Sequence, residues 1–426
     1  MLSMKTFNYR NILLLLPLLV PFSPSVMADN DEYQLEQVLM FSRHGLRAPL
    51  ADAGSVLAQS TPKTWPAWDT QGGYLTPKGG VLESYFGKYV NSWMVSEGLF
   101  GKDKCPTNDE VVVYANSLQR TIATAQYFTL GAFPGCNVKV YHQAGIGIMD
   151  PTFNPVIKDD SEQFKQTALD AMNAIAGKHG LDGLNQQLKP AYDLLTAITD
   201  YKNAPVCLEQ KRCDLNAEPA SFTLVSNKEP GVTGPLRIGT SISDAFILQY
   251  YEGFPLKDIA WGKIKSDKEW KQLASIKDHY GEVLFGSPEV AKNISAPLLN
   301  YINSKLTNGN DRNSSAKFNL LVGHDSNVSS LLSALKIKDY QLPGQFEKTP
   351  IGGKIVFERW SDKATGKPLM KIEYLYQTKE QIRNGDVLSL ANPPKRVVLE
   401  MEDCPIDANG FCDFEVFKQA MKQAIQ

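Results

Sequence analysis

Metal ligands are scarce in this chain. Its 426 residues include only five histidines and six cysteines. There is no Cys-x-x-Cys pair, and no histidine is spaced to complete a zinc site. We therefore expect no metal and no other cofactor, so that any chemistry has to come from ordinary side chains.

An excess of positive charge is also missing. The formal net charge is −2, from 44 basic and 46 acidic residues. Proteins that bind nucleic acid or anionic membrane surfaces usually carry a basic face. The charge balance argues against both partners, while a hydrophobic content of 43% allows a sizeable core.

After the first residues, no apolar run is long enough to cross a membrane, and there is no internal repeat or low-complexity segment. Residues 1–28 have the pattern of a signal peptide: basic Lys5 and Arg10, a short apolar core at 12–20 and a small-residue cleavage site. An uncleaved amphipathic anchor is the alternative. The sequence thus predicts export to the periplasm and removal of this segment.

The cysteines are even in number, which in an exported protein indicates disulfides. Fifteen connectivities are open, and metal binding is the alternative. The simplest scheme pairs sequence neighbours, namely Cys105 with Cys136, Cys207 with Cys213, and Cys404 with Cys412.

A cluster of polar residues directly follows an apolar run. Residues 38–42 are predicted to form a buried strand, and the chain continues as Arg43-His44-Gly45-Leu46-Arg47-Ala48-Pro49. In an open α/β sheet, ligands bind at the carboxyl ends of strands. Two guanidinium groups match the oxygens of a phosphate, and an imidazole between them can attack phosphorus. A solvated basic loop is the plain alternative.

Two further strand ends carry similar groups. The predicted strand 111–115 is followed by Arg120 at the start of a helix, where a cation is favourable only if an anion shares the site. The predicted strand 318–323 ends at His324-Asp325. If these strands run parallel, their ends converge on one crevice. A solvent-facing arginine and histidines at the edge of the core are the alternatives.

The order of the predicted elements indicates an α/β fold. Strands and helices alternate at first, residues 153–305 are mostly helical, and the α/β pattern then resumes and closes with antiparallel strands. We predict a mixed sheet flanked by helices, built from residues 29–152 and 306–426. Residues 153–305 are predicted to form an inserted, mostly α-helical domain.

A site with several cations and no metal suits a phosphate monoester. A neutral imidazole can take the phosphoryl group as a phosphohistidine, and Asp325 can then protonate the leaving alkoxide. Because arginines lower the pKa of a nearby carboxyl, this acid should work best at acidic pH. Activity is therefore expected to fall as the pH rises past neutrality.

These residues resemble the histidine acid phosphatases. The resemblance rests on the Arg-His-Gly-x-Arg-x-Pro motif at 43–49 together with the distant His324-Asp325 pair. It covers essentially the whole chain after residue 28, including the stretches 115–121, 150–155, 229–236 and 349–357. It implies an α/β domain with a helical domain over the active site, and a small phosphate monoester as substrate.

The resemblance also implies roles. His44 would be the nucleophile and Asp325 the proton donor, and the substrate would be held by Arg43, Arg47, Arg120, Glu229 and His324. Glucose 1-phosphate is the expected substrate and inositol hexakisphosphate the alternative. A periplasmic sugar-phosphate-binding protein without turnover is the alternative from another class.

Gly45 is the one departure within the motif. It agrees with the wider acid phosphatase and phytase pattern, whereas members that act on glucose 1-phosphate tend to have asparagine there. We hypothesise that Gly45 widens the pocket toward bulkier esters.

Overall fold

The computed structural model describes residues 32–143, 145–307 and 316–426. The predicted signal peptide, residues 1–28, lies outside the described residues. Within the described ranges, no helix has both the length and the apolar character that a membrane span requires.

Strands alternate with helices at the start and end of the chain, and helices dominate the middle. The first part contains β1 (Tyr33–Arg43), α1 (Val56–Gln59), α2 (Pro77–Ser96), β2 (Val111–Ala115), α3 (Gln119–Ala132) and β3 (Val140–Tyr141). The middle contains α4 (Glu162–Ala176), α5 (Gly180–Thr199), α6 (Pro205–Gln210), the short hairpin β4 (Phe222–Thr223) and β5 (Gly231–Val232), α7 (Pro235–Glu252), α8 (Asp267–Phe285) and α9 (Pro288–Thr307). Single 3₁₀ turns lie at Tyr201–Asn203, Leu215–Ala217 and Ile259–Gly262. The last part contains β6 (Phe318–Gly323), α10 (Asp325–Ala334), β7 (Lys354–Asp362), β8 (Pro368–Tyr376), α11 (Lys379–Asn384), β9 (Lys395–Leu399), β10 (Cys412–Asp413) and α12 (Phe414–Ile425).

The central sheet is mixed, as the sequence predicted. Its strand order is β10-β8-β7-β1-β6-β2-β3, with β9 paired to β8. The four strands β1, β6, β2 and β3 run parallel. The strands β7 to β10 pair antiparallel, which confirms the prediction for the end of the chain.

Helices cover both faces of the sheet. On β1, Leu39 and Phe41 belong to a core shared with α9, α10 and α12, whereas Val38 and Met40 belong to a core shared with α2 and α3. Because both faces are buried, β1 is a continuous apolar run rather than an alternating pattern. The residue that ends this strand is therefore held by packing on both sides.

The helices of the middle part form a separate core, which includes Tyr192 on α5, Phe246 on α7 and Leu273 on α8. The last helix of this part differs, because Leu298 and Ile302 on α9 pack into the core beneath the sheet. The domain boundaries stay a prediction, and this packing favours grouping α9 with the sheet.

Three disulfides are present. Cys105 pairs with Cys136, Cys207 with Cys213, and Cys404 with Cys412, so all six cysteines of the chain are used. The pairing of sequence neighbours is confirmed.

Candidate active site

Three parallel strands end side by side at one edge of the sheet. Arg43 closes β1 opposite Gly323, the last residue of β6, and Ala115 at the end of β2 pairs with Val322. The main-chain N–H of His44 donates to the carbonyl of Gly323 at 2.9 Å. The loop after β1 is thereby tied to the strand that leads into α10.

The residues that the sequence singled out meet at this edge. The ring centroids of His44 and His324 lie 5.6 Å apart. Nη2 of Arg120 is 3.4 Å from Nδ1 of His324, and Nη2 of Arg43 is 3.1 Å from Oδ2 of Asp325. A cavity of about 510 Å³ adjoins them, and its walls include Arg47, Arg120, Glu229 and Asp325, whereas Arg43, His44 and His324 are buried and are not among the residues that line it.

The imidazole of His44 is buried, and its tautomer follows from one contact. Nδ1 lies 2.9 Å from the carbonyl oxygen of Gly45, which can only accept a hydrogen, so Nε2 keeps its lone pair. Burial, followed by the charges of Arg120 and Arg43, holds the pKa of His44 well below its ordinary value. The ring therefore stays neutral and nucleophilic in acidic solution.

Asp325 begins α10 beside two cations. Burial by itself would raise the pKa of this carboxyl, but Arg43 and Lys277 outweigh that effect and lower it to about 2. With an empty pocket the group is an anion at ordinary pH. The lowering by arginine agrees with the expectation from sequence, and Lys277 adds a cation that the sequence had not indicated.

Two arginines keep buried donors without an acceptor. Nε of Arg43 and Nε of Arg120 have no hydrogen-bond partner among the described residues. Such donors are rare inside proteins, because each costs free energy until an acceptor arrives. Burial, and next the charge of Arg47, lowers the pKa of Arg120 to about 10. A bound anion would supply an acceptor for these donors and would offset the repulsion between Arg120 and Arg47, so the site fits a phosphate.

The sequence did not indicate three charged residues of the site, namely Lys277, Asp244 and Glu347. Nζ of Lys277 on α8 lies 2.6 Å from Oδ1 of Asp244 on α7 and 2.5 Å from Oε1 of Glu347. The same Glu347 oxygen is 3.2 Å from Nη1 of Arg43, and Oδ2 of Asp244 is 2.9 Å from Nη2 of Arg47. This network joins the helical part to the loop after β1. Lys277 and Asp244 lie on ordinary amphipathic helices, so no local pattern marks them.

Glu229 faces the same cavity from the helical part. Burial, and then the charge of Asp325, raises its pKa to about 7, although Arg120 opposes the shift. The carboxyl is neutral in acid and can donate a hydrogen bond. Above neutrality it becomes a second negative charge beside Asp325.

The surroundings of Gly45 argue against a role in widening the pocket. A Cβ on Gly45 would lie 3.0 Å from Cγ of Glu83 and 3.0 Å from Cδ1 of Leu75. Neither neighbour lines the cavity. The side-chain direction at Gly45 points into packed protein behind the site, which favours a packing role for this position.

Among the described residues, no group of three or more histidine, cysteine, aspartate and glutamate side chains could hold a metal ion. The hydrogen-bond donors that line the cavity include Arg47 and Arg120, which suit an anion rather than a metal.

Comparison with known proteins gives a consistent result. The family description "Histidine phosphatase superfamily (branch 2)" matches residues 34–377. The chain is 53% identical to a glucose-1-phosphatase of Salmonella typhimurium over 92% of this chain and 93% of that protein. It is 47% identical to a glucose-1-phosphatase of Providencia rettgeri over 96% of this chain and 97% of that protein.

Solved structures agree with the fold. The apo form of Hafnia alvei phytase superimposes with a TM-score of 0.85 at 31% identity, covering 93% of this chain and 98% of that one. The predicted fold class, a mixed sheet flanked by helices, is confirmed. The family that the two motifs predicted is confirmed as well: the chain belongs to branch 2 of the histidine phosphatase superfamily.

Proposed function

We propose that this protein is an exported acid phosphatase that hydrolyses glucose 1-phosphate through a phosphohistidine at His44. One observation carries the proposal. The Gly45 carbonyl holds Nδ1 of His44, which leaves a buried, uncharged Nε2 beside arginine donors that lack an acceptor.

The reaction follows from these groups in two steps. Nε2 of His44 forms a bond to phosphorus while the bond between phosphorus and the ester oxygen breaks, and Asp325 gives that oxygen its proton. In the second step the Asp325 carboxylate takes a proton from water, whose oxygen attacks phosphorus and breaks the phosphorus–nitrogen bond. Arg43, Arg47 and Arg120 balance the negative charge of the transferring group throughout.

The charges around the cavity favour an ester with a single phosphate. Its walls carry the cations Arg47, Arg120, Arg237 and Lys277 and the anions Asp244 and Asp325, and Lys277 is already paired with Asp244. In acid, where Glu229 is neutral, the cations outnumber the anions by four to two, and this surplus suits one phosphate group. A neutral sugar beyond it would meet the polar wall that includes Glu229, which fits the similarity to the two glucose-1-phosphatases.

A phytase is the second candidate, and the similarity to the Hafnia alvei phytase supports it. Values of kcat/KM for glucose 1-phosphate and for inositol hexakisphosphate, measured side by side without added metal, separate the two. A higher value for the sugar phosphate is expected. A higher value for the inositol phosphate would reverse the assignment of substrate.

Trapping tests the intermediate. Acid phosphatase assays with ³²P-labelled substrate, quenched in alkali, should leave label on the wild-type protein and none on His44→Ala. A His279→Ala variant is the matched control, because His279 is bonded to the Ser275 carbonyl on α8 and does not line the cavity. Turnover at the wild-type rate by His44→Ala would refute the mechanism. Binding of the ester without turnover by the wild-type protein would instead support a binding protein.

The proposal includes location and architecture. Three disulfides suit an oxidising compartment, which supports export by residues 1–28. Residues 153–305, apart from α9, act as a helical cap, since Glu229, Asp244 and Lys277 reach the cavity from them. Fractionation of cells that express the full chain, followed by N-terminal sequencing, tests export, and retention of residues 1–28 would contradict it.

A further inference from the structure

Asn116 lies directly behind His324 and has a fixed amide orientation. This side chain is fully buried. Its Oδ1 accepts hydrogens from the main-chain N–H groups of Ser117 at 2.8 Å and Asp150 at 2.9 Å. Those donors cannot be exchanged for acceptors, so the oxygen must face them and Nδ2 must face the other way.

The nitrogen of this amide points at the imidazole. Nδ2 of Asn116 lies 2.6 Å from Nε2 of His324, and its other neighbour is Sδ of Met149 at 3.1 Å. Nδ2 carries two hydrogens and no lone pair, so Nε2 of His324 has to be the acceptor. A neutral imidazole with a bare Nε2 carries its hydrogen on Nδ1.

The other ring nitrogen of His324, Nδ1, faces a donor instead of an acceptor. Nδ1 of His324 lies 3.4 Å from Nη2 of Arg120, which is also a donor. Two donors at this distance do not satisfy each other. A single acceptor within reach of both can satisfy them, and Arg120 lines the cavity that would admit such an acceptor.

We propose that Asn116 is a positioning residue: it fixes His324 as the neutral Nδ1–H tautomer, so that the ring and Arg120 donate together to one oxygen of the substrate phosphate. That the shared acceptor is a phosphate oxygen of the substrate rests on the proposed function. The tautomer of His324 does not depend on that function. The side chain of Asn116 contacts Ser117, Asp150, Met149 and His324, so it can act on the phosphate site only through His324.

The charges around the ring agree with a neutral imidazole. Arg120, Arg43 and Arg47 face it from α3 and the loop after β1, and Asp325 faces it from α10. Burial, followed by the charge of Arg120, lowers the pKa of His324 to about 3, although Asp325 opposes the shift. The imidazole of His324 therefore stays neutral, and keeps its hydrogen on Nδ1, over the pH range in which the enzyme would work.

Asn116→Asp changes the tautomer with the smallest change in shape. The new side chain still offers an oxygen to the two main-chain donors. Its other oxygen now faces Nε2 of His324 and can only accept. The ring must then carry a hydrogen on Nε2, and its pKa rises because a carboxylate stabilises the imidazolium.

Asn327→Asp is the matched control. Asn327 accepts from the main-chain N–H of His324 at 3.0 Å through Oδ1 and donates to the Phe153 carbonyl. This substitution adds the same negative charge near His324 but leaves the side chains of Asn116 and Arg120 beside its imidazole unchanged.

Nuclear magnetic resonance of ¹⁵N-histidine protein gives the direct readout. Long-range ¹H–¹⁵N spectra should show His324, assigned from a His324→Gln spectrum, with hydrogen on Nδ1 alone from about pH 5 to about pH 8. In Asn116→Asp the ring should carry hydrogen on Nε2 or on both nitrogens, while Asn327→Asp keeps the wild-type pattern. A wild-type ring protonated on Nε2, or an unchanged ring in Asn116→Asp, overturns the proposal even if the enzyme is an excellent phosphatase.

The pH dependence of turnover gives a second readout. Below its raised pKa, His324 in Asn116→Asp is an imidazolium that still donates from Nδ1. Above it, Nδ1 presents a lone pair to the phosphate. The loss in kcat/KM relative to wild type should therefore grow with pH, from a few-fold in acid to about a hundredfold at neutrality, the range expected when a hydrogen bond to a charged group is replaced by a repulsive contact. A loss of constant size across pH would show a merely structural role and overturn the proposal.

Discussion

Asp325→Asn tests the proposed proton donor by its dependence on the leaving group. Asparagine has nearly the same shape but cannot give up a proton to an alkoxide. A sugar hydroxyl is a poor leaving group that needs this proton, whereas p-nitrophenolate leaves without one. Loss of a general acid typically costs about 10²- to 10⁴-fold in rate. We expect a loss of this size for glucose 1-phosphate and a loss below about tenfold for p-nitrophenyl phosphate.

The pH dependence of the wild-type enzyme can be estimated from the electrostatics of the empty site. Arg43 and Lys277 hold the pKa of Asp325 near about 2. One negative charge about 5 Å away, at an effective dielectric constant of about 20, contributes about 3 kcal/mol, or about two pKa units. A bound phosphate ester would thus raise the pKa of Asp325 above its value in the free protein, and a dianionic ester would raise it further than a monoanionic one. The acid is present below this pKa and lost above it, so kcat for the sugar phosphate should fall as the pH passes through this raised pKa.

Steady-state kcat for both esters, measured from about pH 3 to about pH 8, provides the assay. Asp339→Asn is the control, because this carboxylate is exposed and outside the cavity over His44. Equal losses for both esters in Asp325→Asn would refute the assignment of Asp325 as general acid. A kcat for glucose 1-phosphate that does not change with pH would also refute it.

Four further substitutions follow from the structure. In wild type, KM is expected to rise about tenfold above pH about 7, as the carboxyl of Glu229 ionises. Glu229→Gln should abolish this rise, and a KM profile like that of wild type would contradict the role of the Glu229 charge. Lys354→Met should lower the free energy of unfolding in urea by about 3–5 kcal/mol, because it leaves the carboxylate of Glu83 buried without its partner at 3.0 Å. Lys336→Met removes a solvent-exposed ion pair and should leave the free energy of unfolding almost unchanged, so similar losses for both lysines would count against this reasoning. Gly45→Ala should lower the free energy of unfolding by about 1–3 kcal/mol, because the added methyl group overpacks its surroundings. The ratio of kcat/KM for the two candidate esters should stay within about twofold of wild type. A changed ratio would support the hypothesis that Gly45 sets the pocket width.

The fold could be predicted from local signals because the sheet is simple near the site. Apolar runs that end in polar residues marked β1, β2 and β6, and parallel pairing brings such ends to one edge. The antiparallel strands β7 and β8 were indicated by a connection too short for a helix. The limits of the helical insertion were harder to judge, because α9 continues the helical pattern although its apolar face packs beneath the sheet.

From local patterns alone, the site was predictable only where its residues lie at the ends of strands, and Glu229 was indicated only by the family resemblance. Arg43, Arg120 and Asp325 each stand at such a place. Lys277 and Asp244 are brought in by the packing of α7 and α8 over the cavity, which local spacing does not encode. Their effect is large, since Lys277 is one of the two cations that lower the pKa of Asp325.

In the sequence, Asn116 was only one residue of the stretch 115–121 that carries the family resemblance. The structure shows instead that its amide is held by two main-chain donors and directs its nitrogen to His324. Hydrogen-bond direction across a site depends on three-dimensional orientation, so a residue of this kind cannot be assigned from spacing alone.

The cations of the site have opposite consequences for the two groups proposed to be catalytic, His44 and Asp325. Burial and the charges of Arg120 and Arg43 keep His44 neutral in acid, which the proposed nucleophile needs. The charge of Arg43 also keeps Asp325 ionised, which a proton donor cannot be. Adding cations would improve the nucleophile and impair the acid, so no fixed arrangement serves both. Substrate charge resolves the conflict, because a bound phosphate neutralises the cations after His44 has been kept unprotonated in the empty site. The acid is therefore made ready by binding, and an uncharged ester in the same pocket should find Asp325 unable to protonate its leaving group.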